Sequence, residues 1–178
     1  DGVTAIVHSA VNLQPVAAAE LQMRNLLDPA ARHGVRRVVH LSTMEVYGEP
    51  SGDVDESHRV DAAAGHTHYA RLKIRLEQIC GEYIDRGLPI VILRPTIVYG
   101  PFSEAWTVEV AQRLLSGSWP IPEQAAQGTC NLVYVDDLMH AIQLALCSDG
   151  AVGEAFNING AERLTWTEYF QALRSALG

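Results

Sequence analysis

The chain has 178 residues, 48% hydrophobic and 19% charged, ordinary values for a soluble globular domain that exclude disordered, collagen-like and coiled-coil architectures. With 13 basic against 21 acidic residues the formal charge is −8, so the positive field needed for phosphate-backbone binding is missing and nucleic acid is not an expected partner. Cys80, Cys130 and Cys147 are widely spaced without a C-x-x-C, and no apolar run reaches the roughly 20 residues of a membrane span; a reduced, cytoplasmic setting without metal or membrane is expected.

Short β-branched runs alternate with stretches of helical period, which predicts an α/β fold with a doubly wound, mostly parallel sheet. In chain order the pattern predicts a strand over 5–9, then a helix over 17–33 closed by Gly34 and kinked or shortened by Pro29. A strand over 37–41 runs into Ser42-Thr43. A polar loop with Gly48, Pro50 and Gly52 leads to a long helix over 67–86, stopped by Gly87 and Pro89, and a third strand over 90–93. After Pro101 follow a helix over 107–116, a Pro-containing loop over 119–122, a strand over 131–135 and a helix over 138–147 capped by Asp136-Asp137. A strand over 155–159 and a helix over 166–177, with Thr165 as its cap, complete the pattern, and these last pieces read as a smaller lobe.

The sharpest chemical signal is Tyr69 and Lys73, which at i and i+4 share one helical face and can reach one cleft. A phenol titrates near pH 10, but a cation about 4 Å away at an effective dielectric near 20 favours phenolate by roughly 4 kcal/mol, enough to make a general acid/base. Alone, Y-x-x-x-K is weak, since amphipathic helices carry such pairs by chance. Thr43 adds to it by standing at the C-terminal end of a predicted parallel strand, where open α/β sheets bind ligands. Glu45 reads either as a base or as a solvated loop carboxylate, and Arg94 either as a phosphate ligand or as half of a structural ion pair. His66 and His68 read as loop surface, because no third metal ligand lies near them in sequence.

Leu41-Ser42-Thr43-Met44-Glu45-Val46-Tyr47-Gly48, the Tyr69/Lys73 pair and Leu93-Arg94-Pro95-Thr96-Ile97-Val98-Tyr99-Gly100-Pro101 occur in that order. Val7-His8-Ser9-Ala10, Tyr134-Val135-Asp136-Asp137-Leu138 and Gly153-Glu154-Ala155-Phe156-Asn157-Ile158 extend the pattern over nearly the whole chain. On these motifs the chain resembles the extended short-chain dehydrogenase/reductase superfamily, the NAD(P)-dependent epimerase/dehydratase group acting largely on nucleotide sugars.

The resemblance implies Tyr69 as catalytic acid/base, Lys73 on the nicotinamide ribose and lowering the tyrosine pKa, and Thr43 hydrogen-bonded to the reacting oxygen. It implies Ser9 and Ala10 along an NAD or NADP cofactor, Pro95, Thr96 and Ile97 beside the nicotinamide, and Thr43, Met44, Glu45 and Tyr99 on the substrate side. Met44 stands where the family's dehydratases commonly place an acid, so epimerisation or reduction is expected ahead of dehydration. Residues 1–100 would be the C-terminal half of a Rossmann dinucleotide-binding domain and 101–178 a region contributing the substrate lobe.

The 14 glycines contain no G-x-x-G-x-x-G and no G-x-G-x-x-G, so the phosphate cradle of such a domain is not in this sequence. The chain reads as the family from its fourth strand onward, an N-terminally truncated piece whose first strand leaves an apolar edge open and which alone is not expected to be a competent dehydrogenase. Other expectations stay open: a reductase or dehydrogenase of a non-sugar alcohol or ketone, a non-catalytic Rossmann-like binding or regulatory module, and a homodimer through the helix bearing Tyr69.

Overall fold

The computed structural model describes residues 2–10, 15–60, 67–117 and 126–178; His66 and the loop expected over 119–122 lie outside the described residues. In chain order the elements are β1 (Ala5–His8), α1 (Val16–Arg32), β2 (Arg37–Leu41), a 3-10 turn (Met44–Tyr47), α2 (His68–Ile84), β3 (Ile90–Pro95) and β4 (Ile97–Tyr99). A π-helical turn (Glu104–Val108) leads into α3 (Glu109–Leu115), followed by β5 (Thr129–Cys130), β6 (Leu132–Tyr134), α4 (Val135–Cys147), β7 (Ala155–Ile158), β8 (Leu164–Thr165) and α5 (Trp166–Leu177).

By contacts the chain divides into two compact units, Asp1–Pro95 with His140–Ile158 and Thr96–Met139 with Asn159–Gly178. The first is built on a parallel sheet in the order β1-β2-β3-β7, with Val7 opposite Val39, Val39 opposite Val91 and Leu93 opposite Phe156. Its two central strands, β2 and β3, read as near-continuous apolar runs and are buried almost throughout, as strands covered on both faces must be. On one face α1 buries Ala19, Met23, Leu27 and Ala30, a stripe at helical spacing, against Leu72, Leu76, Ile79 and Cys80 of α2 and against Val38, Ile90 and Ile92 of the sheet. Side chains two apart along a strand share a face, so His40 follows Val38, and Arg94 follows Ile92, towards the helix layer. At the end of the sheet β1 pairs only with β2 among the described residues, and Val7 is 42% exposed.

The second unit holds the parallel pair β4-β6 and the antiparallel pair β5-β8, with a core of Val110, Leu114, Cys130, Leu132, Tyr169 and Phe170. Gly100 is required where it stands: its φ is 132°, and a Cβ there would lie 2.9 Å from Val135 Cγ1. The cap expected for α5 is a full capping box, in which the Thr165 side chain accepts from Glu168 N and the Glu168 carboxylate accepts from Thr165 N.

Several boundaries differ from the sequence pattern for identifiable reasons. Rather than being shortened at Pro29, α1 runs on to Arg32, because buried Leu27 and Ala30 hold the last turn on the core and the Pro29 carbonyl still accepts from His33 N. Helix α4 starts at Val135, so Asp136 and Asp137 occupy its first turn instead of capping it, where they still complement the positive end of the helix. β4, β5 and β8, two or three residues each, are too short to show a period in sequence.

Candidate active site

The site is assembled where β2 ends. Ser42 N donates to Leu93 O (2.7 Å), extending the pairing of β2 with β3 by one residue. Thr43 then caps the 3-10 turn, its Oγ1 accepting from Glu45 N (3.3 Å). The turn is seated by Val46 and Tyr47, which with Ile74 of α2 form a small apolar cluster that Met44 also joins. The exposed Glu45 carboxylate is not idle: its Oε2 accepts from Thr67 Oγ1 (2.9 Å), and the same Thr67 oxygen accepts from Ala70 N (3.0 Å) as the cap of α2. Glu45 thereby ties the turn bearing Thr43 to the start of the helix bearing Tyr69.

On α2, Tyr69, Lys73 and Glu77 recur every four residues and share a stripe. Lys73 is only 2% exposed, its Nζ donates to Leu41 O (2.6 Å), and the same atom lies 5.6 Å from the centroid of the Tyr69 ring. Burial pulls its pKa down to about 8, while the neighbouring Glu77 and Cys80 pull the other way. The Tyr69 phenol is pushed above its ordinary value, first by burial and then by the negative charge of Glu45. The downward shift expected from the helical spacing is therefore not what the described chain shows: the ring is half-buried, and the ammonium is turned to Leu41 O. At neutral pH Tyr69 is a phenol with a proton to give.

Beside this pair the sheet carries two histidines in register, His8 opposite His40. Their rings stack with centroids 5.2 Å apart, and the two Nδ1 atoms are 3.0 Å apart. One proton fits between them. His40 is fully buried and its Nε2 has no partner among the described residues, and because a stranded N–H is the costlier orphan, His40 Nδ1–H donating to His8 is the favoured arrangement. Burial and the nearby Lys73 charge hold both imidazoles below their ordinary pKa, so both are neutral at pH 7. Ser9 and Ala10, next along the chain, are exposed at the end of β1. Ser42 Oγ is a second buried polar atom at this strand end without a partner among the described residues.

Other residues singled out in the sequence take distinct places. Both nitrogen arms of Arg94 facing α2 bind Glu77, so its guanidinium is half of a buried ion pair rather than a phosphate ligand. Pro95 ends β3 opposite Ile158. In the second unit, Thr96 Oγ1 donates to Asn159 Oδ1 (3.3 Å), Ile97 pairs with Leu132, and the Tyr99 ring meets Tyr134 and Tyr169 edge-on. Glu77, Tyr47, His8 and His40 stand out in the structure but not among the candidates of the sequence; for Glu77 the available signal is an acid four residues after Lys73 on an apolar stripe.

The described residues include no group of three His, Cys, Asp or Glu able to hold a metal, and no helix among them is long and apolar enough to cross a membrane. A cavity of about 400 Å³ lined by Asp28, Arg32, Tyr83, Arg86 and Leu88 lies between the C-terminal ends of α1 and α2, at the opposite end of the strands from Thr43. Its Tyr83 hydroxyl donates to the Asp28 carboxylate, but it lies away from the carboxyl ends of the strands, where open α/β sheets bind ligands, and that position decides between the two places.

Residues 5–159 match the family model described as the NAD dependent epimerase/dehydratase family. The chain belongs to this family. Within it, an uncharacterized UDP-glucose epimerase of Bacillus subtilis is 31% identical over 92% of this chain and 55% of its own length. A dTDP-glucose 4,6-dehydratase of Streptomyces niveus is 31% identical over 86% of the chain and 46% of its own. The UDP-glucuronic acid 4-epimerase of Bacillus cereus, solved with NAD, superposes with a TM-score of 0.86 at 26% identity, over 98% of this chain and 60% of that one. The epimerase/dehydratase fold seen here is thus the parallel, Rossmann-like sheet of those enzymes, and the chain spans about half the length of the curated relatives it matches.

Proposed function

We propose that the protein containing this chain is a nicotinamide-dependent oxidoreductase of nucleotide sugars, an epimerase or reductase ahead of a dehydratase. The observation that carries this is a buried ammonium one helical turn from a tyrosine phenol, beside Thr43 at the carboxyl end of a parallel strand, in a chain of the epimerase/dehydratase family. The residues present suit the nicotinamide-ribose end of such a cofactor. Lys73 has three donors and the described contacts engage one, on Leu41 O, which leaves N–H groups for ribose hydroxyls; Ser9 and Ala10 are exposed at the neighbouring strand end. NAD accompanies the solved relatives, and the nicotinamide-ribose end that these residues suit is common to NAD and NADP.

When bound, the cofactor supplies the hydride acceptor and donor. Tyr69 Oη gives its proton to the ketone oxygen in the reductive direction, and in the oxidative direction, where it must first be the phenolate, it takes the proton of the sugar hydroxyl. Thr43 Oγ1 donates a hydrogen bond to that same oxygen, and Lys73 holds the ribose and supplies positive charge beside the phenol. Pro95, Thr96 and Ile97 are assigned to the nicotinamide, and Met44, Glu45 and Tyr99 to the sugar side, on the family motif. Met44 has no proton to give to a departing hydroxyl and packs into the apolar cluster under the turn, which favours epimerisation or reduction over dehydration. A cytoplasmic homodimer goes with this assignment, and sedimentation tests the second part of it.

The decisive assay uses the intact protein with NAD and a panel of uridine and thymidine diphosphate sugars. Tyr69→Phe is expected to lower turnover by roughly 10²- to 10⁴-fold with cofactor affinity nearly unchanged. Full activity in that variant, or turnover confined to non-sugar alcohols, would reject the assignment.

A further inference from the structure

One turn beyond Lys73 on α2, Glu77 is 8% exposed, and both of its oxygens are held by one partner: Arg94 Nε donates to Oε1 (3.0 Å) and Arg94 Nη2 to Oε2 (2.7 Å). The remaining arm, Nη1, donates to the Tyr47 hydroxyl (2.6 Å), which in turn donates to Asn157 Oδ1 (3.0 Å). Burying such a pair gives little net stability, because apolar side chains of the same volume commonly do as well. Its position suggests another use.

Lys73 shares its stripe of α2 with Tyr69 and Glu77 at four-residue spacing, and the titratable groups whose charge acts on it are His8 of β1, His40 of β2 and Glu77 and Cys80 of its own helix, with Arg94 of β3 bound to Glu77. Burial keeps both imidazoles, the phenol and the Cys80 thiol uncharged at neutral pH. Among these described groups Glu77 is the one anion, and Arg94 fixes it by a bidentate grip that leaves it no other geometry.

We propose that Glu77, clamped by Arg94, is a positioning residue that keeps the buried Lys73 ammonium charged. The proposal rests on the role given to Lys73 above, but its test does not require cofactor or substrate.

Lys73 is the only lysine in the 178 residues, and in the intact protein the lysine signal that disappears in Lys73→Arg is its own, so selective lysine labelling follows this ammonium by NMR titration. In the parent protein the midpoint is expected near 8. Glu77→Gln should move it to lower pH by about one unit, a tenfold change in the ionisation constant. The double variant Glu77→Leu with Arg94→Met removes the pair without stranding a buried charge; it should fold, regain the stability lost in Glu77→Gln, and still show the lowered midpoint. A merely structural pair would instead restore stability and titration together. The proposal is overturned by a double variant whose Lys73 titrates as in the parent, or by one that does not fold, which would make the pair a requirement of the fold. Either result leaves the Tyr69→Phe assay untouched, so the two assignments fail separately.

Discussion

Lys73 concentrates the competition between stability and chemistry in one side chain. Its ammonium titrates near 8 in the folded chain against 10.5 as the ordinary value, because burial disfavours the charge. Below pH 8 both states hold the proton and the folded one bears the desolvation; between about pH 8 and 10.5 the unfolded chain holds more protons, so stability rises with pH across that window. Lys73→Met should therefore stabilise the protein at pH 7 by about 2 kcal/mol, the shift being offset in part by loss of the bond to Leu41 O, with the gain fading towards pH 10.5. Urea unfolding at pH 7 and pH 10 checks both size and trend; a gain that grows with pH would contradict it.

The elements are held in place by caps and buried stripes that can be tested one at a time. Thr67 caps α2 and also donates to Glu45, so Thr67→Ala should cost about 1 kcal/mol and loosen the tie between the Thr43 turn and Tyr69. The expected signature is a drop in turnover larger than the modest fall in unfolding midpoint implies. Thr165→Ala, which breaks the capping box of α5 far from Tyr69 in sequence, should lose a similar stability and serves as its control. Leu27 is wholly buried between α1 and α2, and Leu27→Ala should cost roughly 2–5 kcal/mol by leaving a cavity. The cap at Thr165, β2 and α5 were legible in sequence to the residue, because each rests on local chemistry. The course of α1 through Pro29 was not, because packing of Leu27 and Ala30 overrides a local preference.

At the scale of the molecule the consequential feature is the edge of the parallel sheet. β1 offers a backbone edge with no strand beside it among the described residues, and Val3 and Val7 are exposed there at 62% and 42%. A parallel strand of this composition is a poor edge, so the 178-residue chain expressed alone should self-associate, and Val7→Lys should reduce that association. Light scattering of the two at equal concentration measures the difference; equal scattering would show that the edge is not the contact.

Composition, the alternation of strand and helix, and the ordered motifs around Thr43, Tyr69 and Arg94 were enough to give the α/β class and the family, because these are carried by residue type and local spacing. Only the tertiary structure could decide which charges meet. It placed Arg94 on Glu77 rather than towards a ligand, put His8 against His40 across two strands, turned Lys73 to Leu41 O, and left the Tyr69 phenol protonated. Those outcomes depend on strand register and on burial, and a pKa is set by what surrounds a group in space, which sequence spacing along one helix describes only in part.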